Sequence, residues 1–137
     1  MPLVQNDTQG IIGRKRLEAW ANKEEQVTVV AAADAATTQS AATLAAAAEV
    51  VYTMTPTAGR TLTTPTGAQL GSAFTDEAAG TSFRFTVVNL ASATHAITLT
   101  AGASGVTLVG SATVAAASSA SFVAVFTAAD AVTIYRK

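Results

Sequence analysis

The residues that could carry chemistry are few, and their spacing does not assemble a site. The single histidine, His95, lies in Ala93-Thr94-His95-Ala96-Ile97, at or just before a strand. One imidazole cannot build a histidine metal cluster, and no carboxylate pair lies near it in sequence. Ser92 and Ser104 are its neighbours, but no G-x-S-x-G elbow presents a nucleophile. His95 therefore reads as a strand-edge or interface side chain. Asp76-Glu77 are the adjacent carboxylates that follow the N-terminal segment. Paired acids can perform general acid–base work or hold calcium. Calcium would want oxygen ligands at alternating positions, and Ala78, Ala79 and Gly80 follow instead. A solvated turn is the expectation there. The glycines make neither G-x-G-x-x-G nor a phosphate-binding P-loop and read as turn residues. Asn6-Asp7-Thr8 fits a glycosylation acceptor, which carries weight only in a secreted chain. The sequence predicts no catalytic residue, no metal site and no cofactor.

Composition narrows the partner classes. The net charge is −1 and only 12% of residues are charged. No basic stripe exists to neutralise a phosphate backbone, so direct nucleic-acid binding is not expected. With no cysteine there are no disulfides and no thiolate ligands. The most apolar stretch, residues 27–52, is interrupted by Asp34, Gln39, Ser40, Glu49 and several threonines. It falls short of the roughly 18 unbroken apolar residues of a spanning helix, so no membrane partner is expected. The opening MPLVQNDTQG has neither a basic nor an apolar signal region, which predicts a soluble chain made in the cytosol.

The elements that would position any site follow from patterning. Eight of the seventeen formal charges fall in residues 1–25, together with Trp20, Ile11, Ile12 and Leu17. From Gln26 the chain turns to Thr, Ala, Val, Ser and Gly, which divides it into an N-terminal arm (1–25) and a body (26–137). Leu17 and Trp20, three apart, suit one face of a short helix over 14–22. Ile11, Ile12, Leu17 and Trp20 are the candidate anchors of an arm that docks on its own body or on a neighbour. The body reads as β, because runs rich in Val, Ile, Thr and Phe recur between turn residues. Strands are expected at 26–31, 49–55, 60–63, 82–89, 96–100, 106–109, 112–115, 121–127 and 132–136. Phe83-Arg84-Phe85-Thr86-Val87 alternates cleanly, burying the phenylalanines and turning Arg84 outward as a candidate contact for an acidic or subunit partner. Alanine buries little area, so the core must lean on Phe74, Phe83, Phe85, Ile97, Leu99, Val106, Leu108, Phe122, Phe126, Val132 and Ile134. Residues 31–48 are expected to form a loop with a helical turn near 42–47, and residues 65–74 a short helix closing one end. A thin core favours burial between subunits, so a homo-oligomer is expected.

The run from Thr55 to Leu70 (TPTAGRTLTTPTGAQL), with Gly80–Leu90, Ala91–Leu99, Gly105–Gly110 and Ala131–Arg136, resembles small structural proteins of tailed-phage virions over roughly residues 50–137. The resemblance implies an all-β, jelly-roll-like sandwich that trimerises on the outside of a capsid or within a tail fibre. It further implies a decoration (cement) protein whose partner is the major capsid protein, located on the virion surface. Residues 1–25 lie outside the resemblance, although an arm crossing a neighbour suits a cement role. The alternative is a tail-fibre or receptor-binding module, which would cluster aromatics in loops; Trp20, Tyr52, Phe74 and Tyr135 form no such cluster in sequence. One histidine, no cysteine and isolated carboxylates argue against an enzyme.

Overall fold

Ten strands and two short helices make up the computed structural model, which describes residues 26–75 and 77–137. The strands are β1 (Val27–Ala31), β2 (Thr37–Thr38), β3 (Glu49–Met54), β4 (Arg60–Thr63), β5 (Ser82–Asn89), β6 (Ile97–Thr100), β7 (Val106–Val109), β8 (Thr113–Val114), β9 (Ser118–Ala128) and β10 (Ala131–Arg136). The helices are α1 (Ala41–Ala46) and α2 (Gly67–Ala73). The protein is all-β, with a six-stranded sheet ordered β1-β3-β5-β9-β10-β7 and a four-stranded sheet ordered β2-β4-β6-β8. The arm, with its expected helix and its four anchors, lies outside the described residues.

The path of the chain explains why many pairings are parallel. From β1 to β9 the chain alternates between the two sheets at every step. Strands β1, β3 and β5 therefore stack in parallel in one sheet, and β2, β4 and β6 do so in the other. This makes three successive coils. A parallel neighbour needs a crossover of a dozen or so residues, and here the strand in the opposite sheet supplies it. Antiparallel pairing enters at β5–β9, at β6–β8 and in the β9–β10 hairpin, and β7 then closes the far edge parallel to β10. In the hairpin turn Asp130 takes φ 58°, a left-handed conformation that a short polar side chain tolerates.

Both helices cap the passage from one sheet back to the other, and they share a local sequence. Thr37-Thr38-Gln39-Ser40-Ala41-Ala42-Thr43-Leu44 aligns with Thr63-Thr64-Pro65-Thr66-Gly67-Ala68-Gln69-Leu70. In each, a hydroxyl N-cap accepts from the backbone N–H three residues on: Ser40 from Thr43 and Thr66 from Gln69. Gln69 Oε1 completes a capping box by accepting from Thr66 N–H at 2.9 Å. Leu44 and Leu70, the fourth residue after each cap, are both buried. The helical turn expected near 42–47 is α1, and Leu44, absent from the expected core, buries it beside α2.

Inward-facing residues of both sheets form a single core. From the larger sheet come Val50, Tyr52, Met54, Phe83, Phe85, Val87, Phe122, Phe126, Val132 and Ile134; Leu62, Ile97, Leu99 and Val114 come from the smaller. Phe85 and Phe122 stack with centroids 5.1 Å apart, and Phe74 stacks on Phe83 at 4.8 Å. Val106 and Leu108, expected in the core, are half-buried because β7 is an edge strand. The alanines contribute more than their size suggests: Ala120 and Ala124 alternate with Phe122 and Phe126 on β9, with Ala124 opposite the Phe83 ring and Ala120 opposite Val87 of β5. At the base of the coils three backbones meet. A Cβ on Gly67 would overlap the Asp130 carbonyl, and one on Gly105 would press on both Asp130 and Gly67, so both positions require glycine.

Candidate functional site

The chemistry-bearing residues of the body hold the fold together and do not converge on a cleft. The turns joining the two sheets carry the strongest polar groups. Asp34, between β1 and β2, accepts from the backbone N–H and hydroxyl of Thr57 at 3.1 and 2.5 Å and from Arg60 Nε at 2.6 Å. Thr57 belongs to the equivalent turn between β3 and β4 and Arg60 opens β4, so the carboxylate staples the first coil to the second. The Arg60 guanidinium, and then the Thr57 donors, hold the Asp34 carboxyl far below the usual carboxylate range. The same contact raises Arg60 above its ordinary value. In the third coil the turn is held by Asn89, which is buried. Its Nδ2 donates to the carbonyls of His95 at 2.8 Å and Val114 at 3.0 Å, and its Oδ1 accepts from Ala91 N–H at 3.0 Å.

His95 precedes β6 and Ser104 follows it, at opposite ends of that strand. The histidine is half-buried, and its backbone, not its ring, is what Asn89 engages. Glu77 lies near Gly71 beside the Asp130 carboxylate; Asp76 lies outside the described residues. No group of three or more His, Cys, Asp or Glu placed to hold a metal ion occurs among the described residues, and no helix among them is long and apolar enough to cross a membrane. Among the described residues two polar side chains are buried without a hydrogen-bond partner, Gln39 at both amide atoms and Tyr52 at its hydroxyl. Burial pushes the Tyr52 phenol up to about 12.

The larger of the two sheets, with six strands, turns its other face outward. Strand register places Val27, Glu49, Arg84, Val123, Tyr135 and Val109 in one row across it. The next row holds Val29, Val51, Thr86 and Ser121. Glu49 Oε1 accepts from the Thr86 hydroxyl at 2.6 Å, and Thr86 and Ser121 hydroxyls lie 3.1 Å apart, a polar ladder across β3, β5 and β9. Arg84, as expected, stands exposed on this face, opposite the buried phenylalanines. Around the ladder the surface is valine, threonine and serine, with Val27 55% and Val29 65% exposed at the β1 edge. Sequence reasoning found Arg84 but passed over the two valines. Their signal was the alternation in Val27-Thr28-Val29-Val30, whose outward half is as apolar as its inward half. A shallow groove between the helices is lined by Ala41, Ala68, Gln69, Ser72 and Ala73 and offers almost no functional groups.

No known protein family matches the chain, and neither a curated protein nor a solved structure does.

Proposed function

We propose that this chain is a structural protein of a tailed-phage virion, a decoration or cement protein that binds the outside of the major capsid lattice and stabilises it. Its work in this reading is adhesion, with no catalytic step and no cofactor. One observation carries it: the outer face of the larger sheet is valine, threonine and serine with Glu49 and Arg84 on its neighbouring strands β3 and β5. Such a face suits sheet or lattice packing, where apolar area contributes about 25 cal/mol per Å², and many weak contacts repeated over a lattice add up to strong attachment. Support also comes from the resemblance over residues 50–137. Arg84 would sit at the lattice or subunit contact. Ile11, Ile12, Leu17 and Trp20 would anchor the arm, since large aromatic and aliphatic groups dominate interface energy. A homotrimer is part of the reading on the strength of the resemblance alone. The jelly-roll likeness enters it only as two facing sheets, because the parallel coils β1–β6 depart from antiparallel jelly-roll strand order.

The test is co-sedimentation of the purified chain with undecorated capsids, with and without residues 1–25. Saturable binding that weakens when the arm is removed is the expected result. A chain that stays in the supernatant in both forms would sink the cement role.

A further inference from the structure

Among the described residues no strand pairs with the outer edge of β1 in the six-stranded sheet, and the hydrogen-bonding pattern of that edge specifies what fits it. Ala32 N–H donates to Thr53 O, while Gln26 O accepts from the N–H groups of Ala48 and Glu49. In a parallel ladder alternate residues of a strand bond to one neighbour. The even-numbered residues of β1 therefore face β3, and Val27, Val29 and Ala31 turn their N–H and C=O groups away from the sheet. Nothing blunts this edge. β1 contains no proline, no charge and no bulge, the devices that keep exposed edges apart. The other edge, β7, is only four residues long and is bounded by Gly105 and Gly110, both at positive φ.

We propose that the β1 edge is a self-association site, at which β1 pairs antiparallel with β1 of a second copy about a twofold axis through Val29. In that register Val29 faces Val29 of the partner, and Val27 faces Ala31. Each is a hydrogen-bonded antiparallel pair, so every outward N–H and C=O of Val27, Val29 and Ala31 finds a partner. Pairing with β7 of a second copy would leave part of this set unused, since the outward groups of β7 are those of Val106 and Leu108: Val132 N–H bonds to Gly105 O, which directs the odd-numbered residues of β7 to β10. The contact is uncharged on both sides, so the twofold brings no like charges together within the strand. It also extends the exposed Val27 and Val29 into a continuous apolar strip with Val51 on the neighbouring strand. Such a contact is isologous, the commonest kind in homo-oligomers. The inference is independent of the virion reading; combined with the trimer in that reading, the twofold would join trimers to one another, a closed assembly of six subunits being the smallest such arrangement.

The chain has no cysteine, so Val29→Cys in the full chain introduces a single thiol on the axis. Cα atoms of a hydrogen-bonded antiparallel pair lie about 5.5 Å apart, inside the disulfide range of about 4.4–6.8 Å. Mild oxidation is expected to give a covalent dimer, while Val109→Cys, exposed at the other edge, stays unlinked. Val29→Lys, at a side chain 65% exposed, sets two ammonium groups against each other and is expected to halve the mass seen by sedimentation equilibrium with the circular dichroism unchanged. A full chain that runs at single-subunit mass and gives no V29C dimer would overturn the proposal, whether residues 1–25 or another protein covers the edge. A trimer whose mass V29K leaves unchanged would overturn it as well.

Discussion

Replacing Asn89 with alanine tests how much the fold depends on a single buried side chain. Asn89 is 1% exposed and serves three backbone groups: the carbonyls of His95 and Val114 and the N–H of Ala91. Alanine leaves all three without that partner. Ala91 is itself buried, so its orphaned N–H costs about 1–3 kcal/mol, whereas the Val114 carbonyl keeps its ladder partner Ile97, a hydrogen-bonded pair in phase with Leu99–Ala112. The His95 carbonyl belongs to a half-buried residue, where water can replace the lost donor at little cost. Loss of the side chain's packing volume adds to this, and the total is about 2–4 kcal/mol. Unfolding in urea followed by far-ultraviolet circular dichroism measures it directly. The turn between β5 and β6 should also lose amide protection in hydrogen exchange before the rest of the sheet. A loss below about 1 kcal/mol would show that the turn is held by other contacts and would refute the reasoning.

Other predictions concern the staples and close approaches. Asp34 has a folded-state pKa below its unfolded value, so its contribution is present above the unfolded pKa of about 3.9 and is lost as pH falls toward the folded one. Asp34→Asn is therefore expected to lower urea stability at neutral pH, and the gap from the parent should narrow in acid below about pH 4. Gly67→Ala forces a Cβ onto the Asp130 carbonyl and is expected to cost more than about 2 kcal/mol. Gly59→Ala, with open space around it, should be neutral or stabilising by up to about 1 kcal/mol; thermal unfolding of the two variants separates them. Tyr52→Phe removes a buried hydroxyl without a partner, so stability should hold or rise by about 1 kcal/mol, read from the urea midpoint.

Alternation made most strands legible, because a half-buried strand shows its two faces in its sequence. The edges of β3 to β7 fall within a residue or so of expectation, and β5 matches at both ends. What alternation cannot encode is the neighbour. Nothing in Val27–Ala31 or Glu49–Met54 says that the two strands run parallel, since that depends on where the intervening chain travels. β2 was invisible because two threonines after a run of alanines make too short a pattern to stand out. The helices were half legible: Leu70 and Phe74 marked α2, whereas Leu44 was overlooked among alanines. The shared hydroxyl cap followed four residues later by leucine was in the sequence throughout, but its meaning required knowing that both segments sit at the same point of successive coils. The candidate surface was legible at Arg84 through the clean Phe-Arg-Phe alternation, and not at Val27 and Val29, where both faces of the strand are apolar.

The central claim is that this chain stabilises a capsid lattice from outside. The most direct measurement is the temperature at which DNA-filled, undecorated capsids release their DNA, followed by dye fluorescence as the protein is titrated in. A rise in release temperature that saturates once the lattice sites are filled is the expected result. An unchanged release temperature in the presence of excess protein would contradict it.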